Sequence, residues 1–181
     1  MAIEPSLEQA LHEILARNQI HDALMRYCRG VDRLDRALIL SAYHPGARDN
    51  HGSFDGPAEE FAEWVIERHT NNIVSCTHFV GNVLIQLDGD TAQCESYVIA
   101  FHRVPVNGVL QDLMGFGRYV DRFELRNGAW KIADRYVIFD KDRLEPVVGQ
   151  WDGPLTQALI KGRRDGEDAS YRAIKTAIAI S

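Results

Sequence analysis

The chain has 181 residues, of which 45% are hydrophobic and 25% charged, a balance typical of one globular domain with its own core. Its net charge of −6 argues against a nucleic-acid partner, which needs a basic surface. No apolar run approaches the roughly 20 residues that cross a bilayer, and residues 1–8 lack the pattern of a signal peptide. We therefore expect a cytoplasmic protein with no membrane partner.

The first third of the chain has the periodicity of helices. Ser6 is a plausible N-cap, and the apolar residues that follow predict an amphipathic helix with one buried stripe, which Gly30 ends or bends. The stripe consists of Leu11, Ile14, Leu15, Ile20, Leu24 and Tyr27. Asp35 is predicted to cap a second, short helix. A short strand or extended loop is expected over residues 47–54, and Gly56-Pro57 is expected to start a third helix.

From residue 72 the periodicity changes to two, which is typical of strands. Strands are predicted over residues 77–87, 91–106, 109–125 and 129–139. The three turns between them contain Gly89, Gly108 and Gly128, each after Asp or Asn, as in tight hairpins. Helices followed by an antiparallel meander predict an α+β fold.

The C-terminal segment has weaker periodicity and a charged stretch over residues 161–168. We predict a domain over residues 1–145 and an arm over residues 146–181, with two short helices. The arm is expected to pack on the domain or at an oligomer interface.

The cysteines are Cys28, Cys76 and Cys94, an odd number without a C-x-x-C pair, so we expect reduced thiols and neither a disulfide framework nor a zinc site. No H-x-x-x-H or H-E-x-x-H spacing occurs, and we predict no metal.

Three segments are similar to those of a known family. They are Arg26-Tyr27 with Val31-Asp32, Thr77-His78-Phe79, and residues 117–124 leading into Asn127-Gly128-Ala129-Trp130. With the order of elements over residues 8–140, they resemble the SnoaL-like group of the NTF2-like superfamily, which includes scytalone dehydratase, hexachlorocyclohexane dehydrochlorinase and bile-acid 7α-dehydratase. The resemblance implies a cone, in which N-terminal helices pack on a curved antiparallel sheet around a mostly apolar pocket, and chemistry without a cofactor.

In those enzymes an Asp–His pair occupies the positions that Asp32 and His78 match. A histidine can accept a proton near neutral pH, and a carboxylate on its far nitrogen fixes its tautomer. The resemblance therefore predicts a catalytic dyad. The alternative is structural, with Asp32 capping a helix near Leu34 and His78 bonded in the core.

The resemblance suggests further pocket residues. His102 shares a strand face with Ala100 and aligns with a second histidine of scytalone dehydratase, which implies a catalytic role in holding or protonating the leaving oxygen. The alternative is a surface histidine near a hairpin end. His51 aligns with a pocket tyrosine, whereas Asp49 is expected to point away from the pocket.

Other candidates for substrate binding are Tyr27, which matches a tyrosine of the bile-acid enzyme, Tyr119 and Asn82. Arg118 and Arg135 could bind an anionic substrate, but the many nearby acids favour ion pairs instead.

The predicted function is that of a cofactor-independent lyase. His78 would abstract a proton from a hydrophobic oxygenated small molecule (aromatic, polyketide or steroid-like), with loss of water. Release of formaldehyde by carbon–carbon cleavage and double-bond isomerisation are close variants. The alternative is a non-catalytic binding or assembly module, or a dioxygenase small subunit, whose pocket would be filled. The resemblance also implies a homodimer or homotrimer.

Overall fold

The computed structural model describes residues 6–149 and 151–174, which form three α-helices, six strands and one short 3-10 helix. The helices are α1 (Leu7–Arg33), α2 (Arg36–Ser41) and α3 (Ala58–Asn72), and the 3-10 helix spans Ala169–Arg172. The strands are β1 (Tyr43–Asn50), β2 (Asp55–Pro57), β3 (Ser75–Asp88), β4 (Thr91–Val106), β5 (Val109–Arg126) and β6 (Ala129–Pro146). No helix of this described part is long and apolar enough to cross a membrane.

The six strands form one open sheet in the order β2-β1-β6-β5-β4-β3. The meander from β3 to β6 is antiparallel, which confirms the predicted hairpins. The sheet is nevertheless mixed, because β1 lies parallel to β6. Turn signals report only pairs of successive strands, so this long-range pairing was not visible in the sequence. The helices cover one face of the sheet, and the α+β prediction is confirmed.

The predicted caps are present at the first two helices. The Ser6 hydroxyl accepts a hydrogen bond from the Gln9 amide at 3.2 Å, and the Gln9 side chain accepts one from the Ser6 amide at 2.8 Å. Asp35 accepts a hydrogen bond from the Leu38 amide at 2.9 Å. Each pair satisfies amide groups that a helix start leaves free.

The predicted buried stripe of α1 is only partly correct. Ile20 and Leu24 are fully buried, but Leu11 and Ile14 are 52% and 55% exposed. No other element of the described chain covers the first turns of α1, so the apolar pattern there does not lead to burial.

The sequence predicts that Gly30 ends or bends α1, but α1 does not end there. The helix continues to Arg33 and ends at Leu34, which adopts a left-handed conformation with φ of 56°. Gly30 instead lets α2 approach closely, since a Cβ there would lie 2.7 Å from the backbone nitrogen of Ile39.

We expect Gly30→Ala to lower the free energy of unfolding by about 1–3 kcal/mol, because the added methyl group forces α1 and α2 apart. The intrinsic gain in helix propensity, about 1 kcal/mol, reduces this loss. Urea denaturation measures the change. Gly81→Ala is the matched control, since a Cβ there meets nothing within 4 Å. Equal stability of the two variants would contradict the close approach.

A bulge divides β3 into two halves with opposite phase. Its pairing with β4 shifts between Val80 and Val83. Before the bulge Cys76 and His78 face the helices, whereas Thr77 is exposed. Because the bulge adds a residue, the inward positions change from even to odd numbers beyond it.

The described part of the C-terminal arm contacts the helices. Arg164 donates hydrogen bonds to the carbonyls of His69 and Ile73 at 3.2 and 2.6 Å, at the end of α3. The Tyr171 hydroxyl donates to Asp35 at 3.0 Å. In its described part the arm contains one short 3-10 helix instead of the two helices predicted, and residues 175–181 lie outside the described residues. The domain boundary at residue 145 stays a prediction.

Candidate active site

A cavity of about 300 Å³ lies between the helices and the inner face of the sheet. Its wall is mostly apolar and includes Val31, Val65 and Val98. The structure brings five of the predicted site residues to this one wall: Tyr27, His51, His78, His102 and Tyr119. An apolar cavity with a few polar groups is the usual form of a small-molecule site.

Asp32 and His78 form a hydrogen-bonded pair at this wall. The Nδ1 atom of His78 lies 2.8 Å from Oδ1 of Asp32. Both carboxylate oxygens also accept from the backbone amide of His78 at 3.1 Å. Since an ionised carboxylate only accepts, Nδ1 of His78 carries the hydrogen and the lone pair is on Nε2. This is the geometry of a general base held by a carboxylate.

The geometry does not support the structural alternative, in which Asp32 caps the short second helix. The residue that caps α2 is Asp35 and not Asp32. The third partner of Asp32 is the Cys76 thiol, which donates at 3.5 Å. All three contacts hold the carboxylate behind the His78 ring.

The sequence interpretation missed a third histidine beside the dyad. The His69 ring lies nearly parallel to that of His78, with centroids 6.5 Å apart, and 5.3 Å from that of His102. A signal was present, because His69 continues the buried face of α3 four residues after Val65. The three imidazoles form a cluster at one end of the cavity.

Two members of this cluster are neutral at neutral pH. Burial, followed by the charges of His102 and His78, lowers the pKa of His69 to about 3. Burial and the charge of His78 lower the pKa of His102 to about 4, although Asp32 acts in the opposite direction. Among the described contacts of these three rings, the one to the Asp32 carboxylate is made by Nδ1 of His78.

We expect His69 to make stability depend on pH. The folded protein keeps His69 neutral, whereas the unfolded chain binds a proton below pH about 6.5. The contribution is therefore fully present above pH 6.5 and lost as the pH falls toward 3. Between pH 7 and pH 5 the free energy of unfolding should fall in both proteins, and it should fall by about 1–2 kcal/mol less in His69→Asn than in the wild type. Denaturation at both pH values measures this.

The matched control is His21→Asn, which alters an exposed histidine on α1 and should leave the pH dependence unchanged. An unaltered pH dependence in His69→Asn would show that His69 takes up its proton as easily in the folded protein as in the unfolded chain.

His102 lies across from the dyad and not at the protein surface. Its ring centroid is 5.6 Å from that of His78, on the neighbouring strand β4. Its Nε2 atom is buried and has no hydrogen-bond partner among the described residues. A buried nitrogen without a partner is costly, so an oxygen of a bound molecule would be a favourable partner.

The interpretation that Asp49 points away from the pocket is wrong. Asp49 is fully buried and pairs with Nδ1 of His51, and it also accepts a 2.5 Å hydrogen bond from the Tyr43 hydroxyl. The Nε2 atom of His51 lies 3.1 Å from the Tyr27 hydroxyl. Residues 47, 49 and 51 share one face by strand alternation, which puts Asp49 on the same side as His51. The structure therefore contains a second Asp–His pair.

Tyr119 contributes to the cavity wall through its ring. It packs edge-on against Tyr27 at 5.5 Å, and the Arg135 guanidinium lies 4.1 Å from its ring centre. Arg135 is fully buried in an ion pair with Asp121, at 2.6 and 2.7 Å, and Arg118 pairs with Asp140. Both arginines are thus in the ion pairs that the sequence favoured.

The structure does not bring Asn82 to this cavity. Asn82 is exposed and lines a separate depression on the other face of the sheet, with Phe79 and Tyr97. The bulge after Val80 is the physical reason, because it turns position 82 outward.

A metal ion could be held only by displacing existing contacts. Ligand atoms of Asp32, Cys76 and His78 lie within 4.8 Å of one another. Burial and the Asp32 charge raise the pKa of the Cys76 thiol to about 12, so the thiol stays protonated. An ion would have to release that proton and break the Asp32–His78 hydrogen bond.

Comparison with known proteins agrees with this fold. Residues 12–136 match the model of the SnoaL-like domain, and the chain belongs to this family, in the NTF2-like superfamily. An uncharacterized protein of Mycobacterium tuberculosis is 30% identical over 129 residues, which are 68% of this chain and 84% of that protein.

Two solved structures show the same fold. One is the hexachlorocyclohexane dehydrochlorinase LinA-type3 from Novosphingobium barchaimii, with a TM-score of 0.68 and 19% identity, over 78% of this chain and 96% of that chain. The other is a proposed scytalone dehydratase from Novosphingobium aromaticivorans, with a TM-score of 0.63 and 16% identity, over 76% of this chain and 96% of that chain.

Proposed function

We propose that this protein is a cofactor-independent lyase that removes a proton from a hydrophobic oxygenated small molecule and eliminates water. The observation that supports this most is the 2.8 Å contact between Asp32 and Nδ1 of His78 at the wall of an apolar cavity. His78 accepts the proton on Nε2, and Asp32 stabilises the resulting imidazolium. His102, with its unpartnered buried nitrogen, holds the departing oxygen.

The size of the cavity narrows the proposed substrate. A volume of about 300 Å³ lies at the lower end of the range for small-molecule sites, about 300–1,000 Å³. This favours an aromatic or polyketide compound of one or two rings over a steroid. Carbon–carbon cleavage with release of formaldehyde uses the same base and is the close variant.

The alternative of a dioxygenase small subunit requires a filled pocket. The cavity, with His78 and His102 in its mostly apolar wall, favours the enzyme. The homodimer or homotrimer and the cytoplasmic location remain part of the proposal. Exposed apolar side chains on the outer sheet face, such as Phe79 and Leu84, offer a surface on which copies could associate.

The test is incubation of the wild type and His78→Ala with a panel of hydroxylated aromatic and polyketide compounds, followed by mass spectrometry. Loss of water by the wild type and not by the variant is the expected result. Loss of formaldehyde would indicate the carbon–carbon variant. Equal turnover by both proteins would remove His78 from the mechanism, and binding without turnover would favour the binding module.

A further inference from the structure

Two Asp–His pairs face one cavity, and only the first is used as a base. The second consists of Asp49 and His51, with Tyr27 beyond the imidazole. We propose that Tyr27 is the acid that protonates the departing oxygen, that His51 resupplies its proton, and that Asp49 positions and stabilises His51. This inference rests on the proposed lyase activity and assigns its acid half.

The two pairs are built alike. In each, the Nδ1 atom of the histidine contacts an aspartate that lies behind it. The side chains of Asp49 and His51 are 0% and 20% exposed, so the carboxylate is buried and the imidazole reaches the cavity wall. The His51 ring also stacks on Phe61 at 4.6 Å, which fixes its orientation. A purely structural pair would not need its histidine at the cavity.

The positions of the two pairs suit an elimination. Tyr27 and Asp32 are five residues apart on α1, which is about 7.5 Å along the helix axis. Because His78 contacts Asp32 and both Tyr27 and His78 line the cavity, the acid and the base can act on the oxygen and the hydrogen of neighbouring carbon atoms in one bound molecule.

The environment of Tyr27 explains why it needs His51. Burial, followed by the charge of Asp49, raises the pKa of Tyr27 well above its ordinary value. A phenolate here would therefore be short-lived and must regain a proton at once. His51 Nε2 lies 3.1 Å from the hydroxyl, and the Arg135 guanidinium lies 4.2 Å from the ring centre, where it stabilises transient negative charge.

The proton transfers balance. His78 takes the proton from carbon, the electron pair of that bond forms the double bond, and the carbon–oxygen bond breaks. The oxygen takes the Tyr27 proton and leaves as water, and Tyr27 takes a proton from Nε2 of protonated His51. His78 then loses a proton to solvent and His51 gains one, which restores the starting state.

Other charged and titratable groups face this chain of residues. Tyr43 donates to Asp49, Tyr119 packs against Tyr27, and the Asp121–Arg135 ion pair lies behind the rings. These groups make the surroundings of Tyr27 polar. They do not lie between Tyr27 and a bound molecule, because Tyr27 and His51 line the cavity themselves.

The leaving group provides the test. The two test compounds are a β-hydroxy aryl ketone and the matched β-chloro ketone. They are chosen because chloride leaves without a proton, whereas the hydroxyl group needs one. The spontaneous rate is subtracted for each compound. Tyr27→Phe, His51→Gln and Asp49→Asn should slow elimination of water by about 10²–10³ and elimination of chloride by less than about 3-fold. A merely structural role would slow both reactions equally, and that result would overturn the proposal.

Two controls distinguish failure of the proposal that Tyr27 is the acid from failure of the lyase proposal. His78→Ala should slow both reactions, and equal rates with the wild type would refute the assignment of His78 as the base without touching that of Tyr27 as the acid. Tyr171→Phe removes a hydroxyl bonded to Asp35 outside the cavity and should change neither rate.

Side-chain ¹⁵N NMR tests the hydrogen-bonded chain without turnover, even if neither ketone reacts. The His51 resonances should move in both Tyr27→Phe and Asp49→Asn. Resonances that stay unchanged in both variants would overturn the proposal.

Discussion

His78→Ala is expected to lower kcat by about 10²–10⁴ on a compound that the wild type turns over, because it removes the base while leaving the cavity open. Asp32→Asn should have an effect of similar size. Its amide can donate to Nδ1 of His78 and thereby favour the tautomer with the hydrogen on Nε2, where the base needs a lone pair. Steady-state kinetics with each purified variant measures both effects.

The matched control for His78 is His44→Asn. His44 is also buried, at 5% exposure, and its Nε2 atom contacts the Glu124 carbonyl at 2.8 Å, away from the cavity. This variant should lose stability and keep its activity when folded. A His78→Ala protein with activity within about 3-fold of the wild type would contradict the assignment of His78 as a base whose contribution is at least about 10².

The largest expected effect on stability comes from the buried ion pair behind the tyrosines. Arg135→Met leaves the Asp121 carboxylate fully buried without its partner, and breaking such a pair costs about 3–5 kcal/mol. Burial already raises the pKa of Asp121 although Arg135 opposes that shift, which shows how poorly this site accommodates an unpaired charge. Urea denaturation at neutral pH measures the loss.

The double variant Asp121→Leu with Arg135→Met should be more stable than Arg135→Met alone, since it buries no unpaired charge. Arg118→Met is the surface control. Its pair with Asp140 is partly exposed, so a loss below about 1 kcal/mol is expected. If Arg135→Met cost no more than Arg118→Met, the Asp121 carboxylate would have to be solvated or protonated in the folded protein.

Local features of the fold were predictable because their signals are local. The Ser6 and Asp35 caps and the turns at Gly89, Gly108 and Gly128 depend on residues within three or four positions of one another. The parallel pairing of β1 with β6 has no such signal. It depends on which surface remains free after the meander has formed.

In the candidate site, too, contacts between distant segments could not be predicted from local patterns. The sequence placed Asp32 and His78 together through family resemblance, and the structure brings them into contact. Asn82 was misplaced because a single inserted residue in β3 reverses the alternation that the prediction assumed. His69 was overlooked because its neighbours in the sequence, Arg68 and Thr70, are polar, and its partners in the site come from other elements.

The position of β6 has a consequence for the newly made chain. The strand that holds Asp49, β1, pairs with β2, which is made directly after it, but β1 joins the β3–β6 meander only after β6, the last strand, has left the ribosome. The contact between Asp32 and His78 needs only α1 and β3, which are made earlier. A chain interrupted before β6 could thus form the first Asp–His pair while β1 and β2 are not yet joined to the meander. Completion of translation and assembly of the cavity are therefore coupled by the strand order itself.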